Sequence, residues 1–277
     1  MFDEKIDLDA YFSRIGYEGP RAPTLETLRA VHRAHAQSVP FENLDVLTRA
    51  GIHLDPAALE TKIVASRRGG YCFEQNGLFL RVLRQLGFDA HGLIARVRWM
   101  APEEVETPLS HMLIRVDFPE QNYLADVGFG GYRMTEPIRF VADEEQETAH
   151  GRFRLIRQDA SYMLQAELGD KGWSNIYRFL DVLQSPVDYD QASWYTSTHP
   201  QSLFVNNLLV EIPADDGRYF LFNNMLTVRR PDQDPEMRHL PSGEAIAQAL
   251  RDHFSLEVRS DAERAILDEL AARPQPA

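Results

Sequence analysis

The sequence predicts an α+β fold: helices first, then an antiparallel sheet or barrel, then strands and helices that close the chain. Three observations carry this. Apolar residues recur at helical spacing up to Gly87. Beyond it, short runs rich in aliphatic and β-branched residues alternate with turn signals. Near the end the helical period returns behind a capping box, Ser260 with Glu263, ahead of Ile266, Leu267 and Leu270.

Asp7 is a cap for a first helix whose apolar face is Leu8, Tyr11, Phe12 and Ile15, and Gly16 ends it. Thr24 caps a second with Leu25, Leu28 and Val31. Asp55 followed by Pro56 opens a third, leading to Leu59 and Ile63. A fourth starts near Cys72, carries Phe79, Leu80, Leu83 and Leu86, and stops at Gly87. These four make a small helical bundle. Strands are expected at Leu93–Trp99, His111–Val116, Tyr123–Val127, Gly151–Ile156 and Tyr162–Ala166, with Asp117–Asn122 as a turn around Pro119. Asp143–Glu147 reads as a solvated acidic loop. Leu203–Ile212 and Arg218–Arg229 read as two strands joined at Asp215-Asp216-Gly217. The end, Arg273–Ala277, is expected to fray.

Composition narrows the function. The net charge of −13 argues against nucleic acid or an anionic membrane as the main partner, while leaving room for an anionic cofactor on a local basic patch. No apolar run approaches the roughly 20 residues of a membrane helix. Met1–Lys5 has no basic-then-apolar signal pattern, so a cytoplasmic location is the expectation. A single cysteine excludes an intrachain disulfide, as suits a reducing compartment.

That cysteine, Cys72, follows Gly69-Gly70-Tyr71 and opens a helix. A helix N-terminus, with its unpaired N–H groups and dipole, favours a thiolate, the nucleophilic form. The other reading is a small buried hydrophobe. A cysteine nucleophile needs a base, and the base an orienting group. His32 and His35 lack a metal-completing cluster and read as ordinary helix residues, and no metal is expected. His53 reads as a loop residue. His91, His150, His199, His239 and His253 have no acidic partner by local pattern.

His111 differs, because it opens one strand of a hairpin that Asp126 closes. For a turn between Phe118 and Pro119 the paired numbers sum to 237, which places His111 opposite Asp126. A one-residue error in the turn still leaves the two within about 5–8 Å on one face. A carboxylate there holds one ring nitrogen and aims the other at a thiol, the logic of a triad; the alternative is a structural cross-strand pair. Gly128, Gly130 and Gly131 permit close backbone approach but form no dinucleotide or P-loop motif.

Together these motifs resemble the arylamine N-acetyltransferases. The resemblance rests on Pro40-Phe41-Glu42-Asn43-Leu44, on Arg68-Gly69-Gly70-Tyr71-Cys72-Phe73-Glu74-Gln75-Asn76, on Ser110-His111-Met112, and on Asp126-Val127-Gly128-Phe129-Gly130. It spans essentially the whole chain. It implies an N-terminal helical bundle (1–90), a central antiparallel β-barrel (91–200) and a C-terminal α/β lid (201–277), around a cysteine-protease-like Cys-His-Asp core. It implies catalytic Cys72, His111 and Asp126, with acetyl-coenzyme A as acyl donor and small aromatic amines and hydrazines as acceptors. Phe41, Phe129 and Phe204 match acceptor-pocket positions, or else are plain core packing. Gly130 and Gly131 match the stretch beside the pantetheine arm. Glu42 and Arg68 match a structural charged pair. Arg229, Arg230 and Arg238 are either coenzyme phosphate contacts or a solvated basic loop. Ser193 departs from the pattern, standing where asparagine is expected, which bears on acceptor preference. The competing readings are an amide synthase acting on polyketide-type acyl chains, another Cys-His-Asp acyl-transfer or hydrolytic enzyme, and a binding protein with an inert thiol.

Overall fold

The computed structural model describes residues 5–169, 172–231 and 233–274. Its first helix, α1 (Leu8–Ile15), is capped by the Asp7 carboxylate, which accepts from the Ala10 N–H at 3.0 Å, and closes on Gly16 at φ +66°. Thr24 caps α2 (Leu25–Ser38). A two-residue strand, β1 (Phe41–Glu42), and a short α3 (Leu44–Leu47) follow. Asp55 caps α4 (Pro56–Leu59), which runs on as a π-helical segment, Glu60–Ala65. Next comes α5 (Cys72–Gln85), which begins at the thiol residue and is buried along nearly its whole length.

Eight strands form the second layer: β2 (Asp89–Val97), β3 (Leu109–Asp117), β4 (Tyr123–Ala125), β5 (Ile138–Arg139), β6 (Glu145–Thr148), β7 (Gly151–Gln158), β8 (Ser161–Glu167) and β9 (Trp173–Leu180). Their order is β5-β4-β3-β2-β9-β8-β7-β6, antiparallel throughout. The two edges meet: the Gln146 side chain in β6 accepts from the Arg139 N–H at 2.7 Å and donates to the Arg139 carbonyl at 3.0 Å, as a strand partner would. The sheet is thereby nearly closed into a barrel, filled by Leu113, Leu124, Phe153, Leu164 and Ile176. Helix α5 packs on β2 and β3.

The chain continues through α6 (Pro186–Thr198) and α7 (Leu203–Asn206) into β10 (Leu209–Ala214), β11 (Gly217–Phe222), β12 (Met225–Arg229) and β13 (Glu236–His239), then α8 (Gly243–Phe254) and α9 (Asp261–Ala271). The second sheet runs β1-β10-β11-β12-β13, so a strand from the first fifty residues forms its edge.

The structure corrects several expectations. Residues 145–147 of the expected acidic loop belong to strand β6, because Glu145 and Glu147 lie opposite Arg154 and Arg152 across the ladder. Such cross-strand charge pairs stabilise an edge, and a window of acidic residues does not reveal them. Leu203–Ile212 is not one strand: the Ser202 hydroxyl accepts from the Phe204 N–H and starts a turn of helix before β10. The run 218–229 breaks at Asn223-Asn224, where Asn223 takes φ +53° in a two-residue hairpin turn. The expectations lacked β9 and α6, although Ser185-Pro186 with Asp188 forms a capping box at the start of α6; the buried residues of α6 are Tyr189, Ala192, Ser193 and Thr196, which do not form an apolar stripe. Arg273 is held rather than frayed, its guanidinium donating to the Asn206 carbonyl at 2.6 Å; residues 275–277 lie outside the described residues.

Buried ion pairs join distant parts of the chain. Arg68 reaches Glu42 at 3.2 Å and Glu263, in the capping box of α9, at 2.8 Å. Arg133, fully buried, contacts Glu211 at 3.0 Å and donates to the Val39 carbonyl at 2.8 Å. Removing one member of such a network leaves charges stranded in low dielectric. Arg68→Ala is therefore expected to cost about 3–5 kcal/mol of stability, read from urea unfolding; a loss below about 1 kcal/mol, the range of an exposed pair, would show that Glu42 and Glu263 find other partners.

Candidate active site

Cys72 is the first residue of α5, one position after the extended Tyr71. The Glu74 carboxylate accepts from the Tyr71 N–H at 3.1 Å and from Lys62 at 2.7 Å, holding the loop-to-helix entry. Gln75 donates to the Gly70 carbonyl at 2.6 Å and to Pro40 at 3.1 Å, tying the glycine loop to the approach to β1. Cys72 Sγ lies 3.5 Å from the Ser110 carbonyl oxygen, beside the strand residue that precedes His111.

His111, in β3, places Nε2 2.7 Å from Asp126 Oδ2. An ionised carboxylate only accepts, so Nε2 carries the proton and Nδ1 is the ring nitrogen left for Cys72. All three side chains are at most 2% exposed. Burial by itself opposes a charged imidazole. The charge and hydrogen bond of Asp126, helped by Cys72, outweigh it and raise His111 to about 10. Burial likewise pushes the Asp126 carboxyl up, but the His111 charge and hydrogen bonds from His111, Asn76 and the Gly128 N–H hold it below the ordinary value.

The hairpin register differs from the expected one. Ile114 pairs with Ala125 and Val116 with Tyr123, so the numbers sum to 239 and Asp126 lies just past the ladder. A shift of two keeps the same face and makes the pair diagonal, which is why the contact survives. Asp126 sits in the turn after β4, where Gly128 must pass the start of α5: a Cβ on Gly128 would stand 2.8 Å from Cys72 Cα and from Asn76 Nδ2.

The aromatic positions surround this core. The Phe129 ring centroid is 5.2 Å from that of His111, edge to face. Phe41 and Phe204 pair at 5.6 Å, with Tyr71 5.9 Å from Phe204. A Cβ on Gly130 would fall 2.5 Å from the Phe41 ring, and one on Gly131 3.0 Å from the Trp99 indole nitrogen. Arg230 is paired with Asp216 and Glu236. Ser193 is buried in α6, its hydroxyl 2.5 Å from the Tyr71 phenol, so this departure touches the residue before Cys72. It also lines a cavity of about 880 Å³ with Ile52, Trp194 and Val205.

Sequence reasoning passed over three neighbours of the site. His32 is not an ordinary helix residue: Nε2 accepts the Asp126 backbone N–H at 3.1 Å. Tyr177, from β9, lies 4.8 Å from His111 ring to ring. Asn76, one turn after Cys72, reaches Asp126. Only Asn76 carried a signal, as part of the motif around the thiol. His91 also has acidic partners after all, Asp89 at 2.9 Å and Asp117 at 3.6 Å, at the outer end of β2 and β3. Arg115 engages both oxygens of Asp117 there.

A buried thiol, an imidazole held charged and an orienting carboxylate are the equipment of enzymes that pass acyl groups through a cysteine. The chain belongs to the arylamine N-acetyltransferase family. The N-acetyltransferase family model matches residues 24–263. The arylamine N-acetyltransferase of Mycobacterium tuberculosis (strain H37Rv) is 40% identical over 276 residues, 97% of each chain. That of Escherichia coli K12 is 40% identical, over 95% of this chain and 94% of its own. The fold matches the Mycobacterium smegmatis arylamine N-acetyltransferase with a TM-score of 0.92 at 37% identity, over 97% of this chain and all of the other. It matches the Mycobacterium marinum enzyme, solved in complex with CoA, with a TM-score of 0.91 at 36% identity, over 95% and 99%. Among the described residues no helix is long and apolar enough to cross a membrane.

His32 makes stability depend on pH. Burial lowers it to about 4, against 6.5 when unfolded, with Asp126 offsetting part of the fall. A depressed base contributes fully above pH 6.5 and loses its contribution as pH falls towards 4, about 3 kcal/mol in all. Urea unfolding should show wild type losing stability across that window faster than His32→Gln, which has nothing to titrate there; parallel curves would rule this out.

Proposed function

We propose that this chain transfers an acetyl group from acetyl-coenzyme A to the nitrogen of an arylamine or arylhydrazine, in two steps through an acetyl-Cys72 thioester. The observation that carries the reading is His111, held between Asp126 and Cys72 out of contact with water and raised to about 10. His111 is the group placed to take the thiol proton when Cys72 acts as a nucleophile.

In the first step the Cys72 thiolate attacks the acetyl carbonyl. The Cys72 backbone N–H, first in its helix and without a carbonyl four residues back, is the candidate donor to the oxyanion. The tetrahedral intermediate collapses with loss of the coenzyme A sulfur, to which His111 gives its proton. In the second step the amine nitrogen attacks the thioester, His111 accepts a proton from it, and Cys72 leaves as thiolate. Asp126 keeps Nε2 protonated and steadies the imidazolium throughout; it does not itself exchange the proton. The CoA complex of the M. marinum relative supports the donor, and the names of the relatives support the acceptor class.

Phe129, edge-on to His111, and the Phe41–Phe204 pair are the proposed walls for a flat aromatic acceptor. Gly130 and Gly131, lacking side chains beside Phe41 and Trp99, are the proposed passage for the pantetheine arm.

The reading is tested by intact mass after mixing with acetyl-coenzyme A. Wild type should gain about 42 Da, the acetyl-for-hydrogen exchange of covalent catalysis, and an arylhydrazine should clear it, while Cys72→Ser gains nothing. An unmodified wild type with a reactive thiol would point to a different acyl donor. Phe129→Ala should change the ranking of acceptors by about tenfold while leaving acetylation of Cys72 intact; equal loss for every acceptor would make Phe129 a packing residue.

A further inference from the structure

Asn76 is fully buried one helical turn beyond Cys72, so both side chains lie on the same face of α5. Each of its amide groups is engaged. Nδ2 donates to the Met112 carbonyl at 2.7 Å and to Asp126 Oδ1 at 2.8 Å, and Oδ1 accepts from the Val127 N–H at 3.0 Å. The amide admits no flip, because exchanging its atoms would set Oδ1 against two acceptors and Nδ2 against a donor. One side chain therefore joins the helix of the thiol, the strand residue after His111 and the turn that carries Asp126.

The division of labour at the carboxylate is the central point. His111 takes Oδ2, while Asn76 and the Gly128 N–H take Oδ1. The same turn is pressed onto the start of α5 at Gly128. With Oδ1 pinned, the carboxylate cannot rotate away from the ring without breaking two hydrogen bonds in a dry site.

We infer that Asn76 is a positioning residue for acyl transfer: its amide pins Asp126 Oδ1 to the nucleophile helix and so keeps Oδ2 aimed at the His111 imidazole. The inference rests on the Cys72–His111–Asp126 reading above. Asn76 acts through Asp126, since its amide is taken up by Met112, Asp126 and Val127.

The test is the rate of Cys72 alkylation by iodoacetamide as a function of pH, measured beside acetyl transfer on the full chain. Asn76→Asp is nearly isosteric but puts an acceptor against Asp126. Asn76→Ser adds no charge and is too short to reach Oδ1. In both, alkylation near pH 6 should fall roughly tenfold to a hundredfold, the scale on which losing an outer-shell hydrogen-bond partner costs activity at metal sites. The midpoint of its pH profile should move up from that of the wild type. Turnover should drop with KM for acetyl-coenzyme A unchanged. Asp126→Asn serves as the reference. If it moves the profile and both folded Asn76 variants keep the wild-type midpoint and turnover, the inference fails alone. If Asp126→Asn also leaves the profile unmoved, the triad reading fails with it. Loss of folded protein in both Asn76 variants would assign Asn76 to stability only and overturn the inference as well.

Discussion

A carboxylate hidden from water is the constraint on which the rest of this structure depends. Asp126 is 1% exposed and receives hydrogen bonds from His111, Asn76 and the Gly128 N–H. An isolated charge at that depth would be prohibitive, and its pKa would rise until it neutralised. It stays ionised because a strand, a helix and its own turn each bring a donor to it. Those three pieces must therefore meet in one register. The cation that Asp126 induces on His111 is the other half of the same compensation.

The same logic recurs where no chemistry is involved. Arg133 and Arg218 converge on Glu211, and Arg68 converges on Glu42 and Glu263. Each cluster is buried, and each spans elements far apart in the chain. Buried pairs add little net stability over well-packed apolar side chains, but a misplaced one is severely penalised. Here they tie the second sheet and α9 to the first helices and the segment after β4. That docking matters because β1, which carries Phe41, belongs to the second sheet, while Phe129 belongs to the turn after β4.

The family membership fits this division. Cys72, His111 and Asp126 are buried within a frame of helix, barrel strand and glycine turn. Of the proposed contacts for acceptor and coenzyme, Phe129, Gly130 and Gly131 come from the segment after β4, while Phe41 lies in β1 and Phe204 in α7. Ser193, where the family pattern leads one to expect asparagine, sits on α6 against the Tyr71 phenol. It thus varies the surroundings of Tyr71, next to Cys72, without touching the Asp126 network.

Local signals were legible without the fold. Asp7, Thr24, Asp55 and Ser260 cap helices as their spacing predicts, because a cap is decided within four residues. The thiol at a helix start and the His–Asp pairing across a short turn were legible for the same reason, and an error of two in the register left the pair on one face. What the sequence could not show depends on residues far apart in the chain. The glutamates of β6 are a strand only because arginines of β7 face them. Strand β1 is a strand only because β10 pairs with it from some 170 residues away. His32, Asn76 and Tyr177 gather at His111 and Asp126 from α2, α5 and β9, and no spacing relates them. The sequence by itself determined which groups can do chemistry and which short segments they begin. Tertiary structure alone decided which partners keep those groups charged, since burial and its compensation are properties of the assembled site.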